Sequence, residues 1–291
     1  MNRILFESSE IAADGTAVFG GVRAEHVLNV LHGAVGQVLK TGVVDGPVGT
    51  SVVESIEPLP PDPGTGLAQG RIAVRCSHGA TAVAPWVDIL LAPPRPRAMK
   101  RLLPQLVQMG VGRIVLVGAE KVEKAFWGAQ LLKPEVYRPL LLDGLMQCGT
   151  TALPTIQVER SFRHYMEKGR FEADFAGSGR RVLAHPYPRA QGETGGAPVP
   201  GAQGESGGAP VPGAQGESGG APVPGAQDET GGAPVPGAQK RTLVAIGPEG
   251  GWTDAEVALL EAHGFDRLSL GPRILRTDTA AIALLARLMP V

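Results

Sequence analysis

Apolar positions along this chain change their spacing from one region to the next. Between residues 1 and about 91 they fall in short runs broken by glycine, at residues 36–44, 49–56 and 71–75. Short β-prone runs with regular turn signals predict strands of a small barrel. One stretch there, residues 24–31, has helical spacing. Pro93-Pro94-Arg95-Pro96 then marks a division, because consecutive prolines exclude both helix and central strand. Beyond it Met99, Leu102, Leu103, Leu106 and Val107 recur at helical intervals, with Pro104 bending the helix and Gly110 stopping it. Residues 114–117 are apolar throughout and predict a buried strand, and Pro134 opens a helix that runs to about Cys148. Residues 181–185 form a further strand. Two strand–loop–helix units follow, with strands at 243–246 and 267–270. Strands alternating with helices predict an α/β fold with a mostly parallel sheet.

Between the strand at 181–185 and these last two units lies a repeat. A unit close to Gly-Glu-Thr-Gly-Gly-Ala-Pro-Val-Pro recurs four times within residues 189–239. It offers only Val and Ala to a core, and its Gly and Pro break both helix and strand periods, so it reads as a disordered insertion rather than a solenoid.

The insertion also changes the charge picture. The chain has a formal net charge of −1, but residues 189–236 hold one basic and five acidic residues, leaving 26 basic against 23 acidic elsewhere. That mildly basic balance is compatible with RNA binding. No run of eighteen apolar residues predicts a membrane span. The two cysteines, Cys76 and Cys148, have no metal-ligand spacing and fit reduced thiols in a cytoplasmic protein. The six histidines are scattered and predict no metal site. His185 stands out among them because it ends a strand. A P-loop, a Gly-x-Gly-x-x-Gly opening and a Gly-x-Ser-x-Gly elbow are all missing from the sequence.

Candidate chemistry concentrates in the two C-terminal loops. Gly247-Pro248-Glu249-Gly250-Gly251 places three glycines around one carboxylate, and Thr253-Asp254-Ala255-Glu256 behind it is a capping box that starts a helix ended by Gly264. The second loop, Gly271-Pro272-Arg273-Ile274-Leu275-Arg276, sets two apolar side chains between arginines. It leads into a helix whose apolar residues are Ala281, Ile282, Leu284, Leu285 and Leu288. An apolar loop flanked by arginines suits a flat aromatic ligand beside a polyanion. A purely structural turn and a packed apolar loop account for each loop taken alone.

Together, residues 246–251 and 270–280 resemble the paired signature of the bacterial 16S rRNA (uracil-N3)-methyltransferases. These belong to the SPOUT superfamily of knotted, S-adenosylmethionine-dependent enzymes. Residues 23–31 resemble a segment of that family's N-terminal barrel, and residues 109–114 its helix-to-strand turn. Three positions depart from the pattern: His32 for a common arginine, Gln147-Cys148-Gly149-Thr150 for Gln-Ser-x-Arg, and Asp278 for glutamate.

The resemblance implies a PUA-like RNA-binding β-barrel over residues 1–91 and a SPOUT methyltransferase domain with a trefoil knot over 92–291. It also implies a homodimer and S-adenosyl-L-methionine as cofactor. The cofactor would contact Ala184, His185, Gly247, Pro248, Glu249, Gly250, Gly251, Leu270, Gly271, Ile274 and Leu275. The implied reaction is methylation of N3 of a uridine in 16S rRNA of the small ribosomal subunit. The alternatives are another RNA target, a tRNA or large-subunit rRNA, and a catalytically silent RNA-binding homologue. Arg276 is the expected stabiliser of an anionic uracil, and Glu249 either accepts the proton or orients the loop. Arg23, His26, Arg97, Lys100, Arg101 and Arg273 are expected RNA contacts. Arg95, Arg160, Arg163, Lys168 and Arg170 are further basic candidates.

Overall fold

A computed structural model describes residues 3–128, 130–186 and 240–290. The expectation for the repeat at 189–239 lies outside the described residues.

The N-terminal region forms a five-stranded sheet. Its strands are β1 (Ile4–Phe6), β2 (Thr16–Phe19), β3 (Val38–Val43), β4 (Val48–Leu59) and β5 (Gln69–Ala80), in the order β1-β3-β4-β5-β2. Only β1 and β3 run parallel, and a bulge interrupts the β4–β5 pairing between Val53 and Ser55. The predicted strands at 36–44, 49–56 and 71–75 correspond to β3, β4 and β5. Helix α1 (Gly21–Asn29) begins three residues before the expected start, at an N-cap glycine, and ends two residues before Leu31. Phe6, Phe19, Val27, Leu39, Ile72 and Val74 are buried together beneath it.

The second sheet is built entirely from parallel strands. These are β6 (Val87–Leu91), β7 (Val111–Val117), β8 (Thr155–Glu159), β9 (Arg181–Ala184), β10 (Thr242–Ile246) and β11 (Phe265–Leu268). Their order is β11-β9-β10-β6-β7-β8. The strand expected at 267–270 therefore lies two residues earlier, because Phe265 to Leu268 pair with Arg181 to Ala184 and the chain then leaves the sheet.

Helices cover both faces. Alternate residues of each strand enter opposite cores, as strand geometry requires when both faces are buried. Ile89, Leu91, Ile114, Leu116, Val244 and Ile246 pack against α2 (Pro96–Gln108), α3 (Pro134–Cys148) and α7 (Thr277–Leu288). Leu90, Val115, Val117, Leu183, Leu243 and Ala245 pack against α4 (Phe162–Glu167), α5 (Arg170–Phe175) and α6 (Asp254–Ala262). Among the described residues no helix is long and apolar enough to cross a membrane.

The expected division after residue 91 falls between β6 and β7. β6 precedes it, yet pairs with β7 and β10 inside the parallel sheet. Pro93 and Pro94 are buried, and Pro96 is the first residue of α2, so the proline run ends a strand and starts a helix. β1 joins the two sheets. Ile4 and Phe6 face the N-terminal core while Leu5 faces the core under α2 and α3. Arg138 pairs with Glu7 at 2.8 Å, and the Arg3 backbone N–H donates to the Met146 carbonyl at 3.0 Å.

Candidate active site

The carboxyl ends of β9, β10 and β11 are neighbours, and the loops leaving them enclose a cavity of about 340 Å³. This is where open α/β sheets accept small molecules, and the volume falls in the usual range for such sites. All eleven residues expected to touch a cofactor line it: Ala184 and His185 after β9, residues 247–251 after β10, and Leu270, Gly271, Ile274 and Leu275 after β11.

The loop after β10 owes its shape to contacts on both sides. Gly251 has φ +71°, and its N–H closes a turn by donating to the Pro248 carbonyl at 2.8 Å. A Cβ at Gly247 would lie 2.9 Å from Trp252 Nε1, so only glycine allows the indole this close. Lys121 Nζ donates to the Gly250 carbonyl at 3.1 Å, and Arg95 Nε pairs with Glu249 Oε2 at 3.0 Å. Behind the loop the capping box forms as expected. The Glu256 carboxylate accepts from the Thr253 N–H at 2.8 Å, and its other oxygen accepts from the Glu120 N–H at 2.8 Å.

The loop after β11 is held less tightly. Ser269 Oγ accepts from the Gly271 N–H at 3.2 Å, and Arg287 caps the Ser269 carbonyl at 3.0 Å. Ile274 is 79% exposed beside the cavity. The His185 N–H donates to the Leu268 carbonyl at 3.2 Å, joining the first loop to the third.

Sequence reasoning did not find the rest of the lining, which includes Ile246, Trp252, Leu268, Ser269 and Thr277. Trp252 follows the glycine loop directly, but its place under Gly247, 5.2 Å from the Phe162 ring, comes from packing with α4. Its Nε1 is buried without a hydrogen-bond partner among the described residues.

The two proposed catalytic groups differ in placement. Glu249 lines the cavity in its ion pair with Arg95, whereas Arg276 does not line it. Arg276 is the N-cap of α7, its side chain exposed between the lining residues Leu275 and Thr277.

The expected RNA contacts also separate. Arg273 lines the cavity, and Arg97 and Lys100 are exposed on α2 without an ion pair among the described residues. Arg101 pairs with Asp278 at 3.3 Å, bracing α2 against α7. Arg23 is built into the fold. It pairs with Glu10 at 2.6 Å, donates to the Leu5 carbonyl, and stands 5.7 Å from the Phe6 and Phe19 rings. His26 lies in α1, away from this cavity. Of the further basic candidates, Arg163 pairs with Glu167 at 3.6 Å, Arg170 with Glu159 at 3.0 Å, and Arg160 stands 6.0 Å from the Trp127 ring. Among the described residues no group of three or more His, Cys, Asp or Glu is placed to hold a metal.

A helix-covered parallel sheet, with glycine and arginine loops meeting over three adjacent strand ends, defines an α/β protein with one pocket for a small molecule at that edge. The RNA methyltransferase domain family matches residues 82–193 and 225–289, more than half of the chain, and the chain belongs to that family. It is 26% identical to ribosomal RNA small subunit methyltransferase E of Treponema pallidum, across 97% of this chain and 88% of that one. Its fold is shared with a probable rRNA-methyltransferase from Porphyromonas gingivalis (TM-score 0.59, 20% identity, 98% and 96% of the two chains). It is also shared with the ribosomal RNA small subunit methyltransferase E from Neisseria gonorrhoeae bound to S-adenosyl methionine (TM-score 0.58, 16% identity, 99% and 96%).

Proposed function

We propose that this chain methylates N3 of a uridine in small-subunit rRNA, using S-adenosylmethionine, as a homodimer in the cytoplasm. One observation carries the reading: the two loops that resemble the methyltransferase signature line a single cavity at adjacent strand ends, together with the loop after β9 from the far side of the repeat. The names of the relatives support the rRNA target and the cofactor.

The residues present fit that cofactor. Gly247 leaves room where a Cβ would meet Trp252, and Gly247, Gly250 and Gly251 line the space with backbone alone beside apolar Ile246, Leu268 and Leu270. When bound, the cofactor supplies an electrophilic methyl group. The chain supplies position and exclusion of water, which account for most of the acceleration in such a transfer.

Uracil N3 lies on the pairing edge and carries a proton, so the base must be unpaired and N3 must lose that proton. Arg276, exposed and without an ion pair among the described residues, stabilises the resulting anion, with Arg273 nearer the cavity. The Arg95 ion pair turns Glu249 towards orienting the glycine loop.

The proposal extends to the fold. β10 inserts between β6 and β9, and β11 adds outside β9, an order that supports a trefoil knot. The five-stranded N-terminal sheet supports a PUA-like barrel. The exposed Ile274 beside the cavity supports a covered, dimeric surface.

Titration calorimetry of the full chain with S-adenosylmethionine, joined to mass-spectrometric nucleoside analysis of rRNA from a deletion strain, tests the function. The expected result is cofactor binding and loss of 3-methyluridine from small-subunit rRNA. Unchanged small-subunit rRNA would refute the target, and absent cofactor binding would refute the activity.

A further inference from the structure

A second cavity, of about 560 Å³, shares no lining residue with the first. It lies between α1, β3 and the carboxyl end of α3. Three of its lining side chains, Arg3, His26 and Lys40, are cations or can become so, and no Asp or Glu lines it.

Arg3 lines the cleft and is partly buried. Its guanidinium donates to the carbonyls of Thr41, Gly49 and Gly149, and it has no ion pair among the described residues. Carbonyls satisfy its N–H groups but supply no counter-charge. Burial lowers the Arg3 pKa, and its field adds to the burial that lowers that of His78. A partly buried guanidinium without a carboxylate is an electrostatic imbalance that an anion from outside would relieve. Lys40 is exposed at the rim, its side chain unpaired among the described residues. His26 Nε2 is buried and likewise without a partner there. Ile4, Leu31, Val38 and Leu39 give the rest of the lining an aliphatic side, beside Gln37, Cys148 and Gly149; Leu31 is 40% and Val38 60% exposed.

Cationic groups beside an exposed aliphatic wall match the two halves of a nucleotide. We propose that this cleft holds one nucleotide of the RNA substrate, its phosphate at Arg3 and Lys40 and its base against Leu31 and Val38. The inference rests on the RNA-methyltransferase reading and adds to it an RNA-holding site outside the methyl-transfer cavity.

The test uses the full chain. Small-subunit rRNA binding is measured by fluorescence anisotropy over a salt series, and S-adenosylmethionine binding by calorimetry. The proteins are the wild type, Lys40→Glu and Lys40→Arg. Uridine monophosphate is titrated as a separate arm. Lys40→Glu is expected to weaken rRNA binding about tenfold and to lower the salt slope by about the contribution of one phosphate. Lys40→Arg restores both, and cofactor affinity stays constant in all three proteins. Undiminished rRNA binding by Lys40→Glu, with wild-type binding intact, overturns the cleft alone. The same is true if Lys40→Glu abolishes uridine monophosphate binding yet leaves rRNA binding unchanged, because a free nucleotide is then the occupant. Failure of the wild type to bind rRNA at all overturns the functional reading, and the cleft with it.

Discussion

Glu256 ties the start of α6 at Thr253 to the Glu120 backbone, and its removal gives a measurable loss. The residue is 8% exposed, and its carboxylate accepts from the Thr253 N–H at 2.8 Å, the Thr253 hydroxyl at 3.1 Å and the Glu120 N–H at 2.8 Å. Glu256→Ala removes all three. The Thr253 hydroxyl can turn to water, so the main loss is two backbone bonds to a charged acceptor. Each is worth ~1.5 kcal/mol at the lower end of the range for such bonds. The expected destabilisation is therefore about 3 kcal/mol. Glu256→Gln keeps one accepting oxygen and the side-chain volume, so its loss is expected to be about half as large. Urea unfolding followed by tryptophan fluorescence and extrapolated linearly reads both values. The order wild type, Gln, Ala is the expected ranking. An Ala variant within about 1 kcal/mol of wild type would show that water replaces the carboxylate at no loss, and the supporting role would be wrong.

Gly247→Ala puts a methyl group 2.9 Å from Trp252 Nε1 and 3.0 Å from Cδ1, against an indole already packed on Phe162. Overpacking of this kind costs about 1–3 kcal/mol of stability, read by urea unfolding; a variant as stable as wild type would show that the indole gives way without loss. Arg276→Ala is expected to lower turnover at saturating RNA while cofactor affinity holds; full single-turnover rate would rule out the electrostatic role. Acid stability should register the Arg23–Glu10 pair. The hydrogen bond from Arg23 holds the Glu10 carboxyl below its ordinary value of 4.5, outweighing burial, which acts the other way. The contribution is complete above about pH 4.5 and disappears as pH falls through the depressed folded value. Glu10→Gln is expected to flatten the stability profile in that window, and an unchanged profile would contradict the pairing.

The parts of this protein legible in the sequence are those with local causes. Pro134 and Gly149 bound α3 because proline suits a first helical turn and Gly149 takes φ +81° beyond the last residue, so the helix ends where expected. The Thr253–Glu256 box forms because both partners lie within one turn. Elements with distant causes were harder to see. β1 is three residues long, too short for periodicity to announce, and owes its place to parallel pairing with β3. Arg23 reads as a free cation in sequence, yet Glu10 and two aromatic rings occupy it.

By itself the sequence determined the alternating strands and helices, the glycine and arginine loops, and the family to which they point. Only the tertiary structure decided that β9 lies between β10 and β11, so that loops separated by the long repeat share one cavity. Period and turn chemistry specify what a segment becomes. Which parallel strands lie side by side depends on how crossover helices fill both faces of the sheet, and no short stretch of residues contains that information.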